Sequence, residues 1–338
     1  MLFLPLTKPQ RCHRFTVFAL YSLFFLLCFK QISAAATNCK TVTVDQSGRG
    51  DFSTIQSAIN SVPSKNGFWY CINVNPGTYR EKVKIPNDKP FIMLKGSGQT
   101  KTKVVWNEPY LPAPTFTSLA DNIIVSSMSF VNTYNGPNSK NPRAPAVAAM
   151  VNGDKTFFFQ CGFSGVQDTL CDANGRHYFK ECYIEGAVDF IFGNGQTIYE
   201  DCSIRYLGEM LPPGLAGYIT AQARTSPAES NGFVFKNCNV YGKGTTYLGR
   251  PWRDFSRVLF YNCKLSNVVH PSGWQPWRRV GKEQNLSFSE YKNYGAGADT
   301  SKRVKWMKKL DPQTVDKLTS MSFIDSDGWL QSMPVKYI

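Results

Sequence analysis

The amino-acid sequence predicts an all-β chain folded as a right-handed parallel β-helix, a solenoid with a short N-terminal capping helix. Three observations carry this. Five segments, 157–163, 178–184, 198–204, 233–240 and 258–265, share one pattern: an aromatic or aliphatic stretch, polar residues, a cysteine, and an apolar residue two further on. Their cysteines, Cys161, Cys182, Cys202, Cys238 and Cys263, lie 21, 20, 36 and 25 residues apart. That is the period of a coil built from short strands, with one coil carrying an insertion. Aromatics make up 14% of the 338 residues, with 16 Tyr and 24 Phe, which favours strands. Helical periodicity is nearly absent. A β-sandwich would need the cysteine spacing to be accidental.

The elements follow in order. Lys8, Arg11 and Arg14 precede an apolar run from Phe15 to Phe29, and Ala34-Ala35-Ala36 offers small residues for cleavage. Residues 1–36 therefore read as a signal peptide, since the run falls short of the roughly 20 residues that cross a bilayer. The alternative is a retained N-terminal anchor. Residues 37–338 read as a single domain. Ser53-Thr54-Ile55-Gln56 resembles a capping box opening a short helix with Ile55, Ile59 and Val62 on one side, ended by Pro63. Such a helix covers the open end of a solenoid, where unpaired strand edges invite aggregation. Phe91–Lys95 and Ile123–Phe130 read as earlier turns of the same stack, with Asn and Gly at the bends.

Composition narrows the function classes. With 42% hydrophobic and 18% charged residues the chain is globular. Formal charge is +14; loss of residues 1–36 leaves 34 basic against 24 acidic residues, or +10. A basic secreted protein points to an extracellular polyanion. There is no nucleic-acid motif and no clustered Lys/Arg run, so nucleic acid is not an expected partner. No later segment is apolar enough to span a membrane. Eight cysteines remain after cleavage. Equivalent cysteines on successive coils have parallel Cβ vectors, which suit a disulfide poorly, so a partly reduced ladder of buried thiols is expected. Cys71 pairs with Cys39 or with Cys171; the sequence does not choose. No metal site is expected, with no Cys-x-x-Cys and three His. Asn285-Leu286-Ser287 is a glycosylation sequon.

Two acids stand out. Asp168, in Gly165-Val-Gln-Asp-Thr-Leu170, and Asp189, in Gly186-Ala-Val-Asp-Phe-Ile-Phe-Gly-Asn194, are 21 residues apart, one coil of the solenoid. That spacing sets them side by side. Two neighbouring carboxylates do not both ionise easily, so one serves as an acid while the other serves as a nucleophile. Arg250, in Tyr247-Leu-Gly-Arg-Pro-Trp252, has the fork to hold Asp189 charged and oriented. Gln167 can donate to a developing oxyanion. The bland alternative is a structural Asp–Arg pair.

These residues resemble a plant pectinesterase (pectin methylesterase), from about Lys40 to the end. The similarity lies in Asp45-Gln-Ser-Gly-Arg-Gly-Asp-Phe-Ser-Thr-Ile-Gln56, Gly77-Thr-Tyr-Arg-Glu81, Gln167-Asp-Thr-Leu170, Asp189-Phe-Ile-Phe-Gly193, Tyr218-Ile-Thr-Ala-Gln222 and Leu248-Gly-Arg-Pro-Trp252. It looks like the short form without an inhibitor-like pro-region. The resemblance implies a parallel β-helix and no cofactor. It implies hydrolysis of galacturonate C6 methyl esters in pectin through an aspartyl acyl-enzyme. Asp189 is then the nucleophile, Asp168 the proton donor and later the base, and Gln167 the transition-state stabiliser. Arg250, Trp252, Thr115 and Trp277 are then the substrate-binding residues, with Trp274 as the alternative to Trp277. The implied partners are methyl-esterified homogalacturonan and a proteinaceous pectinesterase inhibitor, with the protein a secreted monomer in the cell wall.

Two positions depart from the family pattern. Where Gln-Ala-Val-Ala-Leu is usual the chain has Pro145-Ala-Val-Ala-Ala149, and where Tyr is usual it has Cys171. Pro145 offers neither a side-chain amide nor a backbone N–H. Losing one oxyanion donor costs about 2.7–4 kcal/mol. The expectation is a slow or selective esterase; the rival is a wall-polysaccharide-binding protein with impaired catalysis. A glycosidase or lyase on the same fold also uses two carboxylates, but the motifs above disfavour it.

Overall fold

The computed structural model describes residues 39–110 and 114–335. The leader assigned to residues 1–36 lies outside the described residues. From Cys39 onward the chain forms one compact unit, and it is the expected right-handed parallel β-helix. Three sheets of ten, eight and seven strands, here A, B and C, are parallel throughout. Each coil contributes one strand to C, then A, then B; one such coil is Leu170–Asp172, Arg176–Lys180 and Tyr183–Gly186.

The corner between sheets A and B is made by one residue in the left-handed region: Ser127, Gln160, Glu181, Asp201, Asn237 and Asn262, all with φ between 52° and 56°. The next residue then points inward. It is Met128 in one coil and Cys161, Cys182, Cys202, Cys238 and Cys263 in the others. A small side chain fits this crowded corner, and each thiol donates to a carbonyl of the preceding coil, for example Cys182 to Phe158 O at 3.5 Å and Cys202 to Phe179 O at 3.4 Å. All five ladder cysteines are free and buried, as is Cys171; the one disulfide among the described residues joins Cys39 to Cys71. Beside the thiols run stacked rings, Phe158, Phe179, Tyr199, Phe235 and Phe260, with centroids 4.4–4.9 Å apart. Burying each is worth about 1.5–3 kcal/mol.

The capping helix spans Ile55–Ser61 and buries Ile55, Ala58 and Ile59. Its cap differs from the expected box. Thr54, not Ser53, is the N-cap, accepting from Ser57 N. Gln56 bonds Lys84 rather than returning to the cap. The free N–H groups of Ile55 and Gln56 are taken by the Glu81 carboxylate, both at 2.9 Å, a negative group at a helix N-terminus. The sequence reading also missed a second helix, Pro312–Thr319, with N-cap Asp311 and proline in its first turn. That helix and the segment after it bury Leu318, Phe323, Ile324, Trp329 and Leu330 against the outer face of sheet A, on Phe157, Tyr178, Ile198, Val234 and Leu259. The 36-residue gap between Cys202 and Cys238 holds two excursions, 208–216 and 223–231, on either side of strand Gly217–Gln222.

Candidate active site

The site grows from the corner between sheets B and C. Asp168 and Asp189 both adopt left-handed backbone, φ 60° and 47°, a conformation that Asp tolerates better than most residues. Their coils are in register: Gln167 bridges Val188, and Leu170 pairs with Ile191. The Asp168 N–H donates to Val188 O at 3.0 Å. Between Val188 and Ile191 the pairing with the next strand shifts, a bulge that re-aims Asp189. Gly186 allows it, because a Cβ there would lie 2.2 Å from the Cβ of Phe190.

Arg250 follows strand Thr246–Gly249, two coils beyond Asp189. Gly249 sits so close to Thr220 that a Cβ would meet its hydroxyl at 2.0 Å, and this approach delivers Arg250 to the acids. Its Nε donates to Asp189 Oδ1 at 2.8 Å and its Nη2 to Oδ2 at 2.6 Å. The guanidinium lies between two rings, 3.9 Å from the centre of Tyr218 and 4.1 Å from that of Trp277. A planar cation clamped this way loses little freedom on pairing.

The two acids therefore differ. Burial raises the pKa of Asp168 to about 7, the negative charge of Asp189 adds to this, and Arg250 opposes it. Burial pushes Asp189 up as well; the fork of Arg250 opposes this without outweighing it, and the net direction is up. Only Asp189 has a cation bonded to it, so Asp189 ionises first and leaves Asp168 protonated. The strand after Asp168 is anchored from behind. The Asp172 carboxylate accepts from Tyr199 OH at 2.6 Å and meets His177 Nδ1 at 2.5 Å. His177 Nε2 faces Gly153 O at 2.9 Å, so this nitrogen carries a proton. Burial pushes His177 down, yet Asp172 outweighs it and the net direction is up.

A cleft of about 250 Å³ opens over the pair, lined by Gln167, Asp168, Asp189, Phe192, Ala221, Arg250, Trp252 and Trp277. Six sequence-derived candidates thus meet here. Trp274 does not: it is 1% exposed and donates to Glu290. Thr115 lies apart, fully buried, its hydroxyl spent on Val131 O at 3.1 Å. Asn285 closes a short surface turn away from the cleft lining. Tyr218, Phe192 and Ala221 were not singled out beforehand, though the 21-residue register that aligns the acids also carries Cys171 onto Phe192.

Neither of the two departures from the family pattern is among the residues lining the cleft. Pro145 accepts from Tyr110 N through its carbonyl, and Ala146 N donates to Gln167 O at 3.0 Å, so the turn under Gln167 is intact. Gln167 is the one side-chain amide among the described residues lining the cleft. Asn141 lines a different groove, with Thr133, Tyr134 and Lys140. Cys171 is 5% exposed in a small apolar cluster with Val147, Phe192 and Ala221, of which Phe192 and Ala221 line the cleft. Burial, Asp172 and Asp168 all push its thiol up, which leaves it an inert thiol.

A model of the pectinesterase family matches residues 41–327. Among curated relatives, Probable pectinesterase 29 of Arabidopsis thaliana is 55% identical over 300 residues, covering 87% of this chain and 90% of that one. Probable pectinesterase 55 of the same plant is 52% identical over 301 residues, covering 87% and 91%. Among solved structures, a pectin methylesterase from carrot superposes with a TM-score of 0.81 at 30% identity, covering 91% of this chain and 99% of that one. One from Aspergillus niger gives 0.73 at 29% identity, covering 87% and 96%. With the same coil, the paired acids and the clamped arginine already placed, these matches leave one assignment: the chain belongs to the pectinesterase family, carboxylic ester hydrolases that act on pectin.

Proposed function

We propose that this protein hydrolyses the C6 methyl esters of galacturonate units in pectin through an acyl-enzyme on Asp189. The supporting observation is the asymmetry of the acids: one is bonded to a clamped guanidinium and the other, beside it, keeps its proton up to about pH 7. An Asp189 oxygen attacks the ester carbonyl carbon, and the carbonyl oxygen takes the negative charge facing the Gln167 amide. As the tetrahedral centre collapses, the bond to the methoxy oxygen breaks and Asp168 gives that oxygen its proton, releasing methanol. Asp168, now a carboxylate, takes a proton from water. The hydroxide equivalent adds to the acyl carbon, the bond to Asp189 breaks, and both acids return to their starting states. The product is a free uronic acid, which ionises into solvent. Trp252 and Trp277 present aromatic faces to the sugar rings.

Pro145 supports a second reading, a wall-polysaccharide-binding protein with impaired turnover, because among the described residues Gln167 alone supplies a side-chain amide to the cleft. Methanol release from methylated pectin decides between them. The esterase reading expects release by the wild type and none by Asp189→Ala. Polymer binding by the wild type with no methanol would overturn it in favour of the second. The basic charge and the apolar leader support secretion to the wall, where polymer retention weakens as salt rises.

A further inference from the structure

Trp274 is buried away from the cleft, yet its partners tie the last coil of the solenoid to the acids. Glu290 lies on strand Ser287–Tyr291 and Arg303 on the segment that follows; their side chains are 2% and 3% exposed. Arg303 Nε donates to Glu290 Oε1 at 2.7 Å and its Nη2 to Oε2 at 3.1 Å. The pair also grips segment 271–277. Trp274 Nε1 donates to Glu290 Oε1 at 3.2 Å, and Arg303 Nη1 donates to Pro271 O at 3.0 Å. Gly273 lies against the Arg303 side chain, where a Cβ would collide with it. The gripped segment runs beside the strand that leads into Arg250: Leu248 N donates to Gly273 O at 2.8 Å and Gln275 N to Gly249 O at 3.1 Å. It then sets Trp277 on the guanidinium, 4.1 Å away. Trp277 has φ 47°, a left-handed backbone that a bulky residue holds only where its surroundings impose it. On one side this turn is held by Arg279, which pairs with Asp254 and donates to Trp252 O. On the other it is held by the buried pair.

We propose that Glu290 and Arg303 are positioning residues for ester cleavage: through Trp274 and the segment after it they hold Trp277 over Arg250, and so fix the fork that Arg250 offers Asp189. This rests on the reading that Asp189 and Asp168 hydrolyse an ester. Stability alone does not call for a buried ion pair, since apolar residues of similar volume often serve as well. What the pair supplies and apolar residues do not is direction, a set of charge-assisted bonds in one geometry. A guanidinium that loses one of its two aromatic walls turns more freely, and its two N–H groups no longer meet both oxygens of Asp189 at once. A reacting group misplaced by about 1 Å costs on the order of 10²-fold in rate. The last coil therefore contributes to the reaction without touching substrate.

The test uses the full chain and three changes. E290L/R303M fills the space with apolar groups and removes the directional bonds. W274F keeps a buried ring and removes one bond. W277L removes the aromatic wall itself. Methanol release from methyl-esterified oligogalacturonide gives kcat, and hydrogen exchange of residues 246–252 and 271–277 reports their order without turnover. E290L/R303M is expected to melt within about 3 °C of the wild type. Its kcat should fall about thirtyfold, and both segments should exchange about tenfold faster while the coils bearing the thiols do not change. W274F should lose about threefold in kcat. In a W277L background, E290L/R303M should lower kcat by no more than about twofold further, because the wall it positions is already gone. Wild-type kcat and exchange in E290L/R303M overturn the positioning role and leave the esterase standing. The full loss repeated in the W277L background also overturns it, since the pair then acts on the fold and not through Trp277. If E290L/R303M does not fold, W274F decides: a lower kcat that disappears in the W277L background supports the role, and an unchanged kcat overturns it. A wild type that releases no methanol, with faster exchange of both segments in E290L/R303M, overturns the esterase and leaves the hold on Arg250 standing.

Discussion

Two corners of the same coil use one backbone device for opposite ends. At the corner between sheets A and B, a left-handed residue turns the next side chain inward, and a column of thiols results. At the corner between sheets B and C, the left-handed residues are the acids themselves, and they line a cleft. Asp168 and Asp189 follow Cys161 and Cys182 by seven residues each, so both pairs inherit the same 21-residue step. The thiol corner satisfies its polar groups on carbonyls of the coil before. The acid corner leaves Asp168 buried with only a distant cation and a like charge beside it. Stacking regularity serves stability at the first corner and, in the proposed mechanism, reactivity at the second, where buried like charges cost folding energy.

The sharpest break in that comparison is at the proposed nucleophile. Asp189→Ala should lower methanol release by about 10⁴-fold or more while the fold survives, since the residue carries reaction and not packing. Next comes the interior. Phe179→Ala, between Phe158 and Tyr199, should cost about 3–5 kcal/mol in denaturant unfolding. The fraction that stays folded should keep the wild-type kcat. Smaller, and opposite in sign, is Asp168→Asn. The folded-state pKa of Asp168 is raised to about 7. Its contribution is therefore fully present below the unfolded value of about 3.9 and is lost as pH rises through about 7. The amide does not titrate, so the variant should melt about 2 °C above the wild type at pH 8 and show no such gain at pH 4. The same proton sets activity: ester cleavage should fall as pH rises through about 7, because methoxide then leaves without its acid. Least of all, Pro145→Gln should raise kcat about two- to tenfold. That is short of the 10²–10³ of a well-placed donor, because residue 145 does not line the cleft. No rise at all would show that Gln167 suffices.

Much of this was legible because a solenoid writes its tertiary contacts into its period. Once Cys161 and Cys182 define the step, Asp168 and Asp189 become neighbours by arithmetic, and Arg250 is the nearby cation in a motif. What stayed hidden depends on contacts outside the period. Glu81 reaches the helix at Ile55 across the end of the barrel, so the Ser53 box looked sufficient. The C-terminal cover on sheet A has its own signal, Asp311-Pro312, but its apolar residues are too sparse to announce a helix. Tyr218 became a clamp on Arg250 only through pairing with Val188 across a bulge. Thr115 entered as a substrate-binding residue only through the family resemblance, and a threonine hydroxyl looks the same in sequence whether it faces substrate or a carbonyl.

The central claim is that Arg250 holds one acid of the pair charged while its neighbour keeps a proton. Carbon-13 NMR titration of the two carboxyls in the folded protein tests it most directly. The account predicts that Asp168 titrates near about 7 and that Asp189 is already ionised where Asp168 is still protonated. Finding Asp189 protonated at a pH where Asp168 has lost its proton would contradict it.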